Sequence, residues 1–167
     1  MLRKEISTKR KYELTNVSIQ CGSSKLHQIK ALRSLRHADK GSLGGYIESE
    51  DNLSHDGDCW ICENAMVFEN ARVSGLALVS GDARVYGNAH VSKDASVHGT
   101  ARVSGNAHVS DDAWVYGGAW VSGDAYVCGT IDVCGDTKLN HGCWNKYIVI
   151  DGREYLISVT LEKLELI

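Results

Sequence analysis

An aliphatic side chain returns at every sixth position, from Ile61 through Val67, Val73 and Val79 to Val133 and Leu139, and an alanine precedes nearly every one by two residues, from Ala65 to Ala125. A helix would repeat its apolar positions every 3.6 residues and a half-buried strand every second one, so this period describes neither, and points to stacked repeats. The units read GDARVY, GNAHVS, GTARVS and GGAWVS. Within A-x-V-x-G-[DN] the Ala and Val lie on one face of a strand, while the two intervening residues lie on the other. The Gly and the Asp or Asn after it make a corner, because both tolerate backbone angles that other residues avoid. Each hexapeptide is therefore one flat side of a prism, with Ala and Val inside.

That interior is uniform, and each valine removed from water is worth about 1.5–3 kcal/mol. The flanking sequence differs. Residues 1–52 form a basic segment whose alternating stretches 12–19 and 26–32 predict a β-hairpin cap, and residues 1–40 carry ten Lys or Arg against three acids. Residues 53–141 hold the coil, and from 41 to 141 there are five basic and fourteen acidic residues. Residues 142–167 contain KYIVI-DG-REYLISV, where Asp151-Gly152 predicts the turn of a second hairpin cap. Such end pieces cover strand edges that would otherwise add further strands.

Seventeen glycines and no proline suit a chain of repeated corners. No apolar run reaches the roughly twenty residues of a membrane span, and the start MLRKEISTKRKYEL lacks an apolar signal core, so a cytoplasmic protein without membrane partners is expected. The basic N-terminus, with Arg3, Lys4, Lys9, Arg10 and Lys11, is read as a solvated face rather than a nucleic-acid site. Cys59 takes an alanine slot facing inward and Cys62 faces outward, so the CxxC they form is read as reduced thiols and not as a metal site.

The repeats at 61–140 resemble the hexapeptide-repeat superfamily of left-handed parallel β-helices. Residues 11–60, with KALRSL, KGSLGGYIE and NLSHDGDCWI, resemble more specifically a group of bacterial and phage proteins that carry an acyltransferase label without a demonstrated reaction. The resemblance spans about four fifths of the chain. It implies an all-β fold of about five left-handed coils, three sides to a coil, so that residues eighteen apart stack. It also implies homotrimers with clefts between the subunits.

Sorting the outward residues by that interval gives three chemically distinct stripes. The first contains Trp60, Leu78, Trp114 and Tyr116, an apolar patch of the kind that marks an interface. Self-association is the expectation, and a terminal hairpin folded over the patch is the alternative. The second contains Arg84, Tyr86, Arg102, Trp120 and Lys138. Guanidinium groups grip phosphate in bidentate fashion and an indole offers a base a stacking surface, so this stripe suits a planar anion such as a nucleotide. Arginines lying passively on the sheet are the alternative. The third places His90 over His108, a pair able to poise a proton transfer, while no third ligand joins them to hold a metal.

Two functions follow as expectations. One is a non-enzymatic homotrimer capturing a small anionic, nucleotide-like ligand between subunits, with no cofactor; the resemblance to phage proteins implies a sponge for a cyclic-nucleotide immune signal. The other is an acyltransferase using acetyl-CoA, with His90, His98 or His108 as the base. The unbroken period leaves no room for the catalytic loop such enzymes extrude.

Overall fold

A computed structural model describes residues 10–145, 147–150 and 153–156. Every described element is a strand apart from one short 3-10 turn at Glu50–Asn52. Strands β1 (Tyr12–Cys21), β2 (Ser24–Ala31) and β3 (Leu43–Ile47) precede a run of two-residue strands, β4 (Trp60–Ile61) to β17 (Lys138–Leu139), that recur every six residues. These short strands form three parallel sheets, one to each side of the prism. Arg84 pairs with Arg102 and Arg102 with Trp120 on one side; His90 pairs with His108 on another; Ser96 pairs with Trp114 on the third. The eighteen-residue stacking is thus realised, and the chain is a parallel β-solenoid.

About six coils are stacked, one more than the period predicts. The additional turn comes before the repeat: β3 pairs in parallel with Met66–Val67, and Leu53 bridges to Val73. No hexapeptide announces this turn, because its sides are joined by irregular segments. At the other end the register slips. Tyr126 pairs with Cys143 and Val127 with Trp144, seventeen residues apart.

The inward residues behave as the pattern requires, with Ala65 to Ala125 and Val67 to Val127 fully or almost fully buried in one continuous core. Backbone N–H groups donate across to the adjacent rung, as from Arg84 to Ala101 and from Tyr86 to Val103. Of the two corner positions in each hexapeptide, the left-handed backbone conformation falls on the first, as at Gly105 (φ 66), where an added Cβ would lie 2.8 Å from the backbone nitrogen of Gly123. Where another residue takes that position, its side chain often reaches up one rung. Glu63 accepts from Gly81 N–H at 2.6 Å and Glu69 from Gly87 N–H at 2.7 Å. The second corner position links rungs through backbone and side chains together: Asn88 N–H donates to Gly105 C=O at 2.7 Å, and the side chains of Asn70, Asn88, Asn106 and Asp124 form a hydrogen-bonded ladder with steps of 2.9–3.1 Å.

The predicted N-terminal hairpin is present as β1 and β2, paired antiparallel, and β2 pairs with β3 so that the hairpin prolongs one side of the prism. Its inner residues Tyr12, Ile29 and Ala31 join the core of the solenoid. After β18 (Cys143–Trp144), β19 (Tyr147–Ile150) and β20 (Arg153–Leu156) pair antiparallel, with Ile150 opposite Arg153. The Asp151-Gly152 turn between them lies outside the described residues. No helix among the described residues is long and apolar enough to cross a membrane.

Candidate functional site

The second side carries the residues of the second stripe. Met66, Arg84, Arg102, Trp120 and Lys138 follow one another in register, one rung apart. This order arises because each occupies the outward position just before an inward aliphatic residue. Arg84, Arg102 and Lys138 are exposed, and among the described residues neither arginine forms an ion pair. Trp120 is half-buried, and its Nε1–H donates to Ser104 Oγ at 3.2 Å, which fixes the indole across the sheet. Thr100, Arg102, Gly118, Trp120, Asp136 and Lys138 line a shallow cavity of about 430 Å³. Tyr86 is not part of this cavity. Its ring stacks on Phe68 at 5.2 Å with planes only 5° apart, so it packs toward the first coils.

The first side departs from the expected apolar interface. Trp60 is 1% exposed, whereas Trp114 is 51% exposed. Trp60 therefore cannot contribute to a surface patch, because the segment 32–42 crosses this side and Leu35 and Ala38 pack against the core beside it. Salt bridges hold that segment down: Arg33 to Asp58 at 3.1 Å and Arg36 to Asp94 at 2.7 Å. Over the first rung the cover comes from the link between hairpin and coil, with Tyr12 of β1 edge-on to Trp60 at 6.5 Å. Farther along, a groove of about 790 Å³ opens between the segment and the side, lined by Arg36, His37, Leu76, Leu78, His98 and Trp114. Tyr116 stacks on His98 at 5.1 Å, and Trp114 meets the same imidazole edge-on at 5.9 Å.

On the third side His90 and His108 stack at 5.0 Å with planes 11° apart, and Tyr126 continues the column 5.7 Å from His108. Burial, the neighbouring His108 and Arg72 together hold His90 below the ordinary histidine value. His98 belongs to the first side, so a single subunit does not gather the three histidines at one point. Among the described residues no group of three His, Cys, Asp or Glu side chains is arranged to hold a metal ion. Cys59 is buried and Cys62 half-buried, the inward and outward slots that the repeat predicts for them.

Periodicity does not reveal Lys11, Tyr12, Asn52 and His55, which meet at the start of the coil. Tyr12 stacks on His55 at 4.3 Å and its hydroxyl donates to Leu53 C=O at 2.8 Å. Fully buried Asn52 accepts from Ser49 N–H at 2.8 Å and donates to Glu69 and Ala71 carbonyls, both at 2.9 Å. None of these contacts repeats, so the sequence carries no regular signal of them.

Comparison with known proteins supports the fold and leaves the chemistry open. The YdcK β-solenoid repeat family model matches residues 77–93, 83–99 and 101–117. A protein of Escherichia coli strain K12 named "Uncharacterized acetyltransferase YdcK" is 37% identical over 57 residues, which is 34% of this chain and 18% of that protein. The chain thus covers under a fifth of that relative's length. By period, register and repeat similarity together, this chain is a hexapeptide-repeat β-solenoid, similar in its central coils to the YdcK repeat.

Proposed function

We propose that this protein binds a small, planar, phosphorylated anion without transforming it, in the clefts between the subunits of a homotrimer, each cleft taking the second side of one subunit as a wall. The observation that carries the reading is the column of Arg84, Arg102, Trp120 and Lys138, whose arginines have no carboxylate partner among the described residues. An unpaired guanidinium on a flat sheet is free to take a phosphate bidentately. The indole one rung away gives a nucleobase a stacking surface worth about 1–3 kcal/mol per base. Parallel sides let symmetry-related copies face such a column, and closed point-group symmetry is the usual outcome for soluble homo-oligomers. Capture of a cyclic nucleotide, as a sponge for an immune signal, is the specific form this reading takes.

Equilibrium dialysis against a panel of linear and cyclic nucleotides, with recovery of the ligand afterwards, tests the proposal. Binding of an unaltered nucleotide that is lost in both Arg102→Ala and Trp120→Ala supports it. Equal affinity in wild type and both variants removes the second side from consideration.

A second reading, an acetyltransferase, is favoured by the name of the Escherichia coli relative. It would use the groove on the first side, where His98 lies beside Trp114 and Tyr116. Its signature is thiol release from acetyl-CoA in the presence of an amine or hydroxyl acceptor, lost in His98→Ala. His90→Ala and His108→Ala test the third side in the same assay.

A further inference from the structure

We infer that Lys11 and Cys59 form a site of oxidative modification, at which peroxide joins the lysine nitrogen to the cysteine sulfur and locks the N-terminal hairpin onto the coil. Both residues are fully buried. Lys11 Nζ lies 3.0 Å from Cys59 Sγ, and it also donates to the carbonyls of Cys59 at 2.8 Å and Gly57 at 3.4 Å. A buried ammonium ordinarily demands an anion close by, yet among the described residues Lys11 forms no ion pair with a carboxylate. The sulfur is the one side-chain atom it meets that can become negative. Of the described cysteines, Cys59 alone has an amine in hydrogen-bond contact with its sulfur.

The arrangement suits a two-step reaction. The Cys59 thiolate attacks one oxygen of hydrogen peroxide, the O–O bond breaks, and the departing hydroxide takes a proton from the Lys11 ammonium and leaves as water. Sulfur has lost two electrons and is a sulfenic acid, and Lys11 is now a neutral amine. Sulfenic acids condense with nearby nitrogen nucleophiles. The amine lone pair forms the N–S bond, while the sulfenic hydroxyl departs with an amine proton as a second water. One thiolate, one ammonium and one peroxide thus give a sulfenamide and two waters. A second peroxide can insert its oxygen to give an N–O–S bridge and one further water. Burial pushes the Cys59 thiol up while the Lys11 hydrogen bond pulls it down, the upward push prevailing, so the reactive thiolate becomes more abundant as pH rises. Peroxide would enter past the segment 54–58, whose Asp56 and Gly57 are exposed. The carbonyls of Ser54 and Asp56 lie 3.7 and 3.9 Å from the sulfur.

The test is peptide mapping of the full chain after hydrogen peroxide, without reductant. The expected result is a tryptic species joining the Lys11 and Cys59 peptides, lighter by two hydrogens than their sum, or by two hydrogens with one oxygen gained. Trypsin no longer cuts after Lys11, dithiothreitol restores both peptides, and the joined species forms faster at higher pH. It is lost in Lys11→Arg and in Cys59→Ala. The second variant keeps the inference testable if the first does not fold, since alanine already occupies this slot in the following repeats. Recovery of Cys59 as a free thiol or sulfinic acid, with Lys11 still cut by trypsin, overturns the inference.

Discussion

Trp60 and Trp114 occupy the same slot of the repeat on the same side of the prism, three rungs apart, yet one is almost fully buried and the other half exposed. The period fixes which way a side chain points. What it points into depends on segments that do not repeat. Over Trp60 lie β1 and the link 32–42; over Trp114 the described chain places only the edge of the groove. An outward tryptophan is thus a core residue at one end and a surface residue at the other.

The greatest loss is expected where direction itself is violated. Val103→Glu places an uncompensated carboxylate in the core and should cost more than about 4 kcal/mol, whereas Arg102→Glu, one residue earlier and exposed, should change stability by about 0.5 kcal/mol or less. Soluble yield and chemical denaturation decide this, and a well-folded Val103→Glu would break the inside–outside assignment.

The next largest difference separates the two tryptophans. Trp60→Ala should cost about 3–5 kcal/mol, as large-to-small changes in a core do, and Trp114→Ala about 1 kcal/mol or less. Equal losses, measured as denaturation midpoints at one protein concentration, would mean that the first rung is not specially covered. Asparagines give a third contrast. Asn52→Ala removes the donor to the buried Ala71 carbonyl and the acceptor for the Ser49 N–H and should cost about 2–3 kcal/mol, while Asn88→Ala on the exposed ladder should cost about 0.5 kcal/mol or less. Matching losses in the same denaturation series would remove the distinction between cap and coil.

The smallest effect is in pH. His90 is held below its ordinary value of 6.5, so the unfolded chain takes up a proton more readily than the folded one. Stability from this site is therefore full above that value and declines as pH falls through it. His55 and His37 are also lowered, by burial first, and add to the same decline. A thermal midpoint that falls between neutral and mildly acidic pH, and falls less in His90→Gln, is expected; a midpoint rising with acidity would contradict the sign.

Much of the coil is legible in the sequence because each position has an equivalent six and eighteen residues away, so one rule places Arg84, Arg102, Trp120 and Lys138 in a line. The rule fails where equivalence ends. Nothing periodic marks the extra turn through Leu43–Ile47 and Leu53, although Gly44-Gly45 is a trace of it: a Cβ on Gly44 would lie 2.6 Å from Ile29 Cγ1. The slip before Cys143 is a single missing residue. Tyr86 shows a subtler limit, since it stacks on Phe68 one rung away and lies outside the cavity that Arg102, Trp120 and Lys138 line. Charge alone places Lys11 with the basic surface, whereas its burial depends on Gly57 and Cys59, which lie far along the chain.

Hydroxyl-radical footprinting of the full chain across a dilution series tests the directional account most directly. The prediction is that Val115 and Trp60 stay unlabelled at every concentration while Trp114 is labelled strongly at the highest dilution, where any association has been lost. Labelling of Trp60 equal to that of Trp114, or of Val115 ahead of Trp114, would contradict it.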